Sequence, residues 1–277
     1  MKISFVGSGN VAWHLSQALE NAGHWICEVY SRDIQNARLL ASELYDTNVQ
    51  PDLDFSESEA EIIILAISDD ALDQVIQQIV FPENVIAVHT SGTKSLAEFQ
   101  KLTEIYSDVK VYTGIFYPLQ TFTKGFPMNY KELPLCIESK NNIAENKLVN
   151  IAESISDNVI RMDSDERFIL HVAAVFANNF TNHLLGISHD LLYREHLNFD
   201  LLKPIIQTTI DKAFQSDDPS LGQTGPARRG DWATTARHLE YLQENNPEWV
   251  DIYRMMTEKI RSRHILNEGN DLPQEKS

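Results

Sequence analysis

Short runs of apolar and β-branched residues alternate with helical periods over the first 160 residues of this chain. Such alternation is typical of a parallel β-sheet with helices on both faces. Asp33 and Ser95 each precede a helical period, and we predict that both side chains accept hydrogen bonds from first-turn amides. The predicted strands span residues 2–6, 25–30, 61–67, 84–88, 109–116, 134–138 and 158–161.

The pattern changes after Met162, where the strand signals stop and long helical periods begin. Asp231 and Pro247 suit the starts of the last two helices, as an N-cap and a first-turn proline. We therefore expect an α/β domain over residues 1–162 and an all-helical domain over 163–265. The polar residues 266–277 are expected to form a disordered tail. The predicted helices of the second domain span residues 164–194, 200–215, 232–244 and 247–263.

Charge and composition exclude several classes of partner. The 277 residues carry a formal net charge of -17, which opposes binding to nucleic acids and to anionic bilayers. The longest apolar runs are six residues, whereas a membrane helix needs about 20. Cys27 and Cys136 lack the paired spacing of zinc or redox motifs, so no metal site is predicted. A soluble protein of the reducing cytoplasm fits these features.

A glycine-rich turn follows the first strand directly. Residues 7–12 read Gly-Ser-Gly-Asn-Val-Ala, in which Gly7 allows a tight turn and Gly9 allows close approach of a pyrophosphate. Ala12 lets the following helix pack against the strand, and the helix N-terminus favours negative charge. The motif predicts dinucleotide binding rather than a purely structural turn. The residues expected to bind the cofactor here are Gly7, Ser8, Gly9, Asn10 and Val11.

The end of the second strand distinguishes between the two dinucleotides. A carboxylate at this position usually binds a free ribose 2′-hydroxyl, whereas an arginine accommodates a 2′-phosphate. This strand ends in Ser31 and Arg32, so NADP(H) is favoured. Alternatively, Arg32 is only a solvated charge before the Asp33 cap. Strand ends further along the chain should also line the cofactor cleft, through Ile67, Ser68 and Thr90.

Several further motifs resemble those of a known family. They are AISDDA at 66–71, HTSG at 89–92, YPLQTF at 117–122, and TGPARRGD at 224–231 with His238 downstream. With them the chain resembles bacterial NADP oxidoreductases in which a Rossmann-like domain precedes a helical domain of unknown function. It is more distantly similar to ketopantoate reductases, pyrroline-carboxylate reductases and β-hydroxyacid dehydrogenases. The resemblance implies a C-terminal domain of the 6-phosphogluconate-dehydrogenase-like type and a homodimer.

Two residues near the predicted strand ends could supply a proton. His89 follows a strand and titrates near neutrality, so it could protonate a carbonyl or imine as hydride arrives, or it could serve only as a hydrogen-bonding residue. Tyr117 stands where the resembled family carries a histidine, and its phenol could still donate a hydrogen bond. Ser91 and Gln120 are expected to face the substrate, although residues 118–122 could equally form a rigid turn.

Polar residues follow one line along the predicted helix 164–194. At 100° per residue, His171, Asn178, Asn182 and His189 lie within about 20° of each other. β-Hydroxyacid dehydrogenases carry Lys-x-x-Asn-Asn on their interdomain helix, and the match implies that Asn178 and Asn179 orient the substrate. Val175 replaces the lysine, so the proton must come from His89, Tyr117 or water. Alternatively, the amides hydrogen-bond between helices.

Arg228 and Arg229 suit a substrate carboxylate, because the guanidinium fork matches carboxylate geometry. A salt bridge between domains or subunits is the alternative. We therefore predict an NADP(H)-dependent oxidoreductase that reduces a small carbonyl or imine compound, with a 2-keto acid such as ketopantoate as the first to test. Two other functions stay open: an NADP-binding redox sensor or regulatory protein without turnover, and a prephenate- or arogenate-type dehydrogenase.

Overall fold

The computed structural model describes residues 1–270, with side chains described for residues 1–263. The chain forms two compact units, of which the first is Met1–Asn179 and the second begins at Phe180. The first unit extends beyond the predicted boundary at residue 162, because a helix that follows this residue packs against the sheet. Among residues 1–270, no helix is both long and apolar enough to cross a bilayer.

An eight-stranded sheet forms the centre of the first unit, in the order β3-β2-β1-β4-β5-β6-β7-β8. The strands are β1 (Lys2–Val6), β2 (Trp25–Tyr30), β3 (Asn48–Gln50), β4 (Ile62–Leu65), β5 (Ile86–His89), β6 (Tyr112–Pro118), β7 (Leu135–Glu138) and β8 (Val159–Arg161). All seven predicted strands occur. Strand β3 was missed, because three partly exposed residues leave no apolar pattern.

One strand pair departs from the predicted parallel arrangement. β6 and β7 run antiparallel, whereas every other pair in the sheet is parallel. A parallel neighbour needs a long crossover, usually through a helix. Residues 119–134 contain only one short 3-10 turn, so the chain returns alongside β6 in the opposite direction. We call residues 119–134 the β6–β7 loop.

Helices cover both faces of the sheet, as predicted. They are α1 (Asn10–Asn21), α2 (Ile34–Ala41), α3 (Asp69–Ile76), α4 (Leu96–Tyr106), α5 (Asn142–Ile155) and α6 (Ser164–Ala174). Phe5 and Val88 lie in the core on the α1 and α5 face, and Leu65 and Phe99 lie in the core on the α3 and α4 face. Both predicted N-caps are confirmed: Asp33 accepts a hydrogen bond from Gln35 N, and Ser95 forms a capping box with Glu98.

The second unit is helical, as predicted. A π-helical turn (Val175–Phe180) follows α6 at the end of the first unit. The second unit contains α7 (Thr181–Arg194), α8 (Lys203–Phe214), α9 (Pro226–Arg229), α10 (Trp232–Asn245) and α11 (Val250–Asn270). Asp231 caps α10 by accepting a hydrogen bond from Thr234 N, as expected. Pro247 begins a 3-10 turn before α11. The predicted tail begins at residue 266, but α11 continues through residues 266–270, so the prediction of disorder is wrong there. Residues 271–277 lie outside the described residues.

A buried ion pair holds α6 against the sheet. Arg167 is completely buried and donates to Glu138 on β7 at 2.6 Å and to the Lys94 carbonyl at 2.6 Å. Removing one member of a buried pair leaves an uncompensated charge, which typically costs about 3–5 kcal/mol. The orientation of α6 in the first unit therefore depends on this pair.

The His89 imidazole is also enclosed, on the α4 side of the sheet. Only 1% of this residue is exposed, and its ring meets the Phe99 ring edge-on at 5.0 Å. Its Nδ1 accepts a hydrogen bond from Ser91 N at 3.1 Å, so Nε2 carries the proton of the neutral ring. Burial, with a smaller contribution from the Arg167 charge, lowers the pKa of His89 to about 3. The ring is therefore neutral at physiological pH.

This burial predicts a stability that falls in mild acid. Below the usual histidine pKa of about 6.5, the unfolded chain takes up a proton that the folded chain rejects until about pH 3. Each pH unit in that window costs up to about 1.4 kcal/mol. We expect the wild-type free energy of unfolding to fall by about 2 kcal/mol more between pH 7 and pH 5 than that of His89→Asn, measured in urea. Equal decreases would show that folded His89 does accept the proton.

Candidate functional site

The glycine-rich turn adopts a conformation that only glycine tolerates at its first position. Gly7 has a φ of 111°, and a Cβ there would lie 2.3 Å from the Ala66 carbonyl oxygen. Its amide donates to the Tyr30 carbonyl at 2.8 Å, which ties the ends of β1 and β2 together. A Cβ on Gly9 would meet nothing within 4 Å, so its outer side is open. The turn therefore combines tight packing on one side with free access on the other.

The N-terminus of α1 has the properties of an anion site. Gly9 occupies the N-cap position without a side-chain hydrogen bond, and the first turn contains no acidic residue. Its first amides are thus left for another acceptor, and the helix dipole adds partial positive charge. Ser8 and Ser31 join the two neighbouring strand ends through a hydroxyl–hydroxyl hydrogen bond of 2.9 Å.

A cleft of about 710 Å³ lies over this turn and the neighbouring strand ends. All ten residues predicted to bind the cofactor line it: Gly7, Ser8, Gly9, Asn10, Val11, Ser31, Arg32, Ile67, Ser68 and Thr90. The sequence thus predicted their common location, because parallel strands bring their carboxyl ends to one edge.

The charges that line the cleft are all positive. Among its described lining residues, only Arg32 and Lys124 are charged, although residues 1–160 contain 22 acidic side chains against 10 basic ones. A carboxylate is missing at the end of β2, where a free ribose hydroxyl would need it. The lining therefore fits a phosphate-rich dinucleotide with a 2′-phosphate beside Arg32. Lys124 lies on the β6–β7 loop, two residues after the YPLQTF motif, and the sequence did not predict its role because no pattern links this loop to the glycine-rich turn.

The buried position of His89 argues against the predicted role in proton transfer. The expectation was that its ring would emerge at the sheet edge, but alternation along β5 turns it into the α4 side of the core. Because its pKa is about 3, the ring is neutral at neutral pH. Its one N–H hydrogen, on Nε2, is buried. Ser91 is similarly engaged, since its Oγ accepts hydrogen bonds from Thr93 N and Lys94 N at 3.0 Å each. Its hydroxyl oxygen therefore stabilises the loop after β5.

Tyr117 and His171 form a hydrogen-bonded pair that the sequence did not predict. The Tyr117 hydroxyl lies 3.0 Å from His171 Nδ1, and their rings meet at 70° with centroids 6.0 Å apart. Tyr117 is 8% exposed, and burial raises the pKa of its phenol to about 12. The phenol therefore keeps its proton at neutral pH. The signal in the sequence was the polar position 171, but nothing there linked it to β6.

Gly92 explains how His171 approaches the loop after β5. A Cβ on Gly92 would lie 2.5 Å from His171 Nδ1, closer than real side chains come. The absence of a side chain at position 92 thus lets the imidazole lie directly on the backbone. Thr90, two residues earlier on the same loop, lines the cleft. Consequently the Tyr117–His171 pair adjoins the loop that forms one wall of the cleft.

The other predicted substrate residues of the first unit are exposed. The Gln120 Oε1 accepts a hydrogen bond from Thr121 N at 2.8 Å, and both residues belong to the β6–β7 loop. Asn178 and Asn179 lie in the π-helical turn with exposed side chains. The predicted line of polar residues assumed an uninterrupted α-helix, whereas a π-helical turn changes the rotation per residue. The predicted line thus rested on a regular α-helix that the chain does not form over Val175–Phe180.

In the second unit, the two predicted arginines differ in their contacts. Arg228 donates to the carbonyl oxygens of Leu221 and Gln223, so it stabilises its own loop. Arg229 is exposed. Two hydrogen bonds from Thr234 lower the pKa of Asp231, the cap of α10, and the charge of Arg229 lowers it to a smaller extent. Among the described side chains, no cluster of three metal-binding residues occurs.

Two family models match this chain. The model described as NADP oxidoreductase coenzyme F420-dependent matches residues 2–103, and a domain of unknown function, DUF2520, matches residues 133–260. No curated protein matches the chain. Together the models cover most of both units.

Solved structures extend the comparison to the whole chain. A Bacteroides fragilis protein designated an NADP oxidoreductase is 34% identical, covers 94% of this chain and 98% of its own, and has a TM-score of 0.84. A Thermotoga maritima protein is 19% identical over 96% of this chain and 99% of its own, with a TM-score of 0.64. An imine reductase from Myxococcus stipitatus in complex with NADP⁺ is 14% identical over 95% of this chain and 93% of its own, with a TM-score of 0.66.

The last two proteins share the fold alone, whereas the identity and coverage of the Bacteroides protein show a common family. The chain therefore belongs to the NADP oxidoreductase family in which a Rossmann-like domain is followed by a helical domain of unknown function.

Proposed function

We propose that this chain is an NADP(H)-dependent oxidoreductase that reduces a small carbonyl or imine compound. The observation that carries the proposal is a dinucleotide cleft without acidic lining residues, next to a protonated phenol on the same sheet edge. The glycine-rich turn and the α1 N-terminus suit the pyrophosphate, and Arg32 suits the 2′-phosphate. When bound, the cofactor would supply the hydride.

Tyr117 is the proton donor in this proposal. Its phenol holds a proton at neutral pH because burial raises its pKa to about 12. As hydride reaches the carbon of a C=O or C=N group, the electron pair of the double bond moves to oxygen or nitrogen. That atom takes the phenolic proton. In the tautomer that carries its hydrogen on Nδ1, His171 returns this proton to the phenolate through their hydrogen bond while its Nε2 takes up a proton from solvent, so that both residues end neutral. Asn178 and Asn179 remain candidates for orienting the substrate by their exposed amides.

For the substrate we propose a carboxylate-bearing compound, with a 2-keto acid such as ketopantoate as the first to test. Arg229 supports this choice, because its guanidinium is exposed, whereas Arg228 is occupied by backbone carbonyls. Cys27 and Cys136 are buried free thiols, which supports a reducing cytoplasmic location.

A homodimer is the proposed assembly. On the second unit, Ile205 (64% exposed) and Phe214 (88% exposed) lie on opposite faces of α8, and Leu197 and Leu201 just before it are also more than half exposed. Apolar exposure of this extent marks an interaction surface, and a second copy of the chain would cover it.

The role of Arg32 can be tested with both nicotinamide dinucleotides. We expect Arg32→Ala to weaken NADPH binding by about 10–100-fold, because a charge-assisted hydrogen bond to the 2′-phosphate is lost. NADH binding should change by less than about twofold, since NADH lacks that phosphate. Isothermal titration calorimetry measures both constants, and Arg38→Ala on α2 serves as a charge-matched control. Equal losses for the two dinucleotides would contradict the assignment.

The role of Tyr117 can be tested by absorbance loss of NADPH with a panel of keto acids, cyclic imines and aldehydes. Tyr117→Phe should lower kcat by about 100-fold or more, because the proton donor is removed, while NADPH affinity stays unchanged. Gly92→Ala should also lower kcat, since its Cβ displaces His171. An unchanged kcat in Tyr117→Phe would exclude the phenol as donor. Absence of wild-type turnover at every pH would instead favour the sensor hypothesis.

The dimer can be tested by sedimentation equilibrium. We expect the wild-type chain to have twice its 31.6 kDa mass, and Ile205→Glu/Phe214→Glu to be monomeric because charges would replace the apolar contact. Tyr45→Glu, at a 94% exposed position of the first unit, is the control and should stay dimeric. A monomeric wild-type chain would refute the proposal.

A further inference from the structure

The β6–β7 loop (residues 119–134) is fastened to α1 by a buried histidine. His14 is 6% exposed, its Nε2 lies 2.8 Å from the Thr123 carbonyl oxygen, and its Nδ1 lies 2.9 Å from the Tyr130 hydroxyl. A carbonyl oxygen only accepts, so Nε2 carries a hydrogen and donates it to Thr123. In the neutral ring Nδ1 then accepts from Tyr130. Phe122 adds a third anchor, since it is buried with its ring 5.3 Å from that of His14.

These anchors place Lys124 beside the N-terminus of α1. Lys124 directly follows Thr123 in the loop, and its ammonium lies over the Trp13 ring, 5.0 Å from the ring centroid. Trp13 belongs to the first turn of α1, whose amides have no side-chain cap. Lys124 also lines the cleft formed by the glycine-rich turn. The ammonium is thus positioned at the end of the cleft where the helix N-terminus lies.

The charge of Lys124 contacts the Trp13 ring, and no carboxylate among the described side chains pairs with it. Among the described side chains, the ammonium forms no salt bridge, although the surrounding unit is rich in carboxylates. Lys131 on the same loop differs, because it pairs with Asp157 at 3.2 Å. An unpaired cation on an aromatic face at a cleft wall is well placed for an incoming anion.

Two cations at different places imply two different phosphate contacts. Arg32 lies at the end of β2, where the adenosine ribose of a dinucleotide binds, and the turn after β1 meets the pyrophosphate. Resting on the proposed function, we infer that Lys124 binds the pyrophosphate oxygens of the cofactor and that the His14 anchor holds the loop in position for this contact. Lys124 is then a cofactor-binding residue common to NADPH and NADH.

The test compares three ligands by isothermal titration calorimetry: NADPH, NADH, and adenosine 2′-monophosphate, which lacks the pyrophosphate. Lys124→Met should weaken NADPH and NADH by the same factor of about ten and leave the monophosphate unchanged. Lys131→Met removes an equal charge from the same loop, away from the cleft, and should change none of the three constants. Arg32→Ala should show the opposite selectivity, affecting NADPH and the monophosphate.

The outcomes separate this inference from the proposed function. Unchanged affinities in Lys124→Met would overturn the inference while NADPH binding by the wild-type chain stood. A loss confined to NADPH and the monophosphate would also overturn it, because Lys124 would then contact the 2′-phosphate. A wild-type chain that bound neither dinucleotide would overturn the proposed function itself, and the inference with it.

The anchor can be tested by a double-mutant cycle. Tyr130→Phe removes one hydroxyl from the His14 contact without changing the size of the side chain, and should weaken both dinucleotides by about threefold. In the Lys124→Met background the same change should have no further effect, because the loop no longer holds a phosphate ligand. An undiminished threefold loss in that background would show that the anchor acts through something other than Lys124.

Discussion

The close contact between Gly7 and the end of β4 is the constraint on which the cleft depends. The Gly7 backbone lies so near the Ala66 carbonyl that no side chain fits between them. This contact sits where the strand order reverses, with β2 on one side of β1 and β4 on the other. Helices α1 and α3 leave these strands toward opposite faces of the sheet, and a crevice opens between them.

The charges that line the cleft differ in sign from the net charge of the protein. The net charge of -17 would repel a dinucleotide, yet the described lining of the cleft excludes acidic side chains and contains Arg32 and Lys124. Exposed charges separated by more than about 8 Å are largely screened at physiological ionic strength, so the nearby cations and helix amides have the greater influence. The net charge therefore does not define the ligand.

Burial gives the polar groups on the α4 and α6 side of the sheet different properties. Arg167 and His171 are four residues apart on α6 and so share one helix face. The ion pair of Arg167 with Glu138 holds that face against the sheet, which also keeps His171 within hydrogen-bonding distance of Tyr117. His89, enclosed nearby, stays neutral, whereas the Tyr117 phenol keeps its proton. Burial thus lowers the pKa of His89 and raises that of Tyr117, because it disfavours the charged form of each group.

Local sequence determined seven of the eight strands, the caps at Asp33, Ser95 and Asp231, and the residues of the glycine-rich turn at Gly7. Each of these depends on backbone conformation or on alternation along one element, which neighbouring residues encode. The partners of His171 and Lys124, the burial of His89 and the antiparallel β7 were decided only by tertiary structure. These features join residues distant in sequence, such as Tyr117 with His171, and depend on which face of an element packs inward. No pattern within a single segment carries that information.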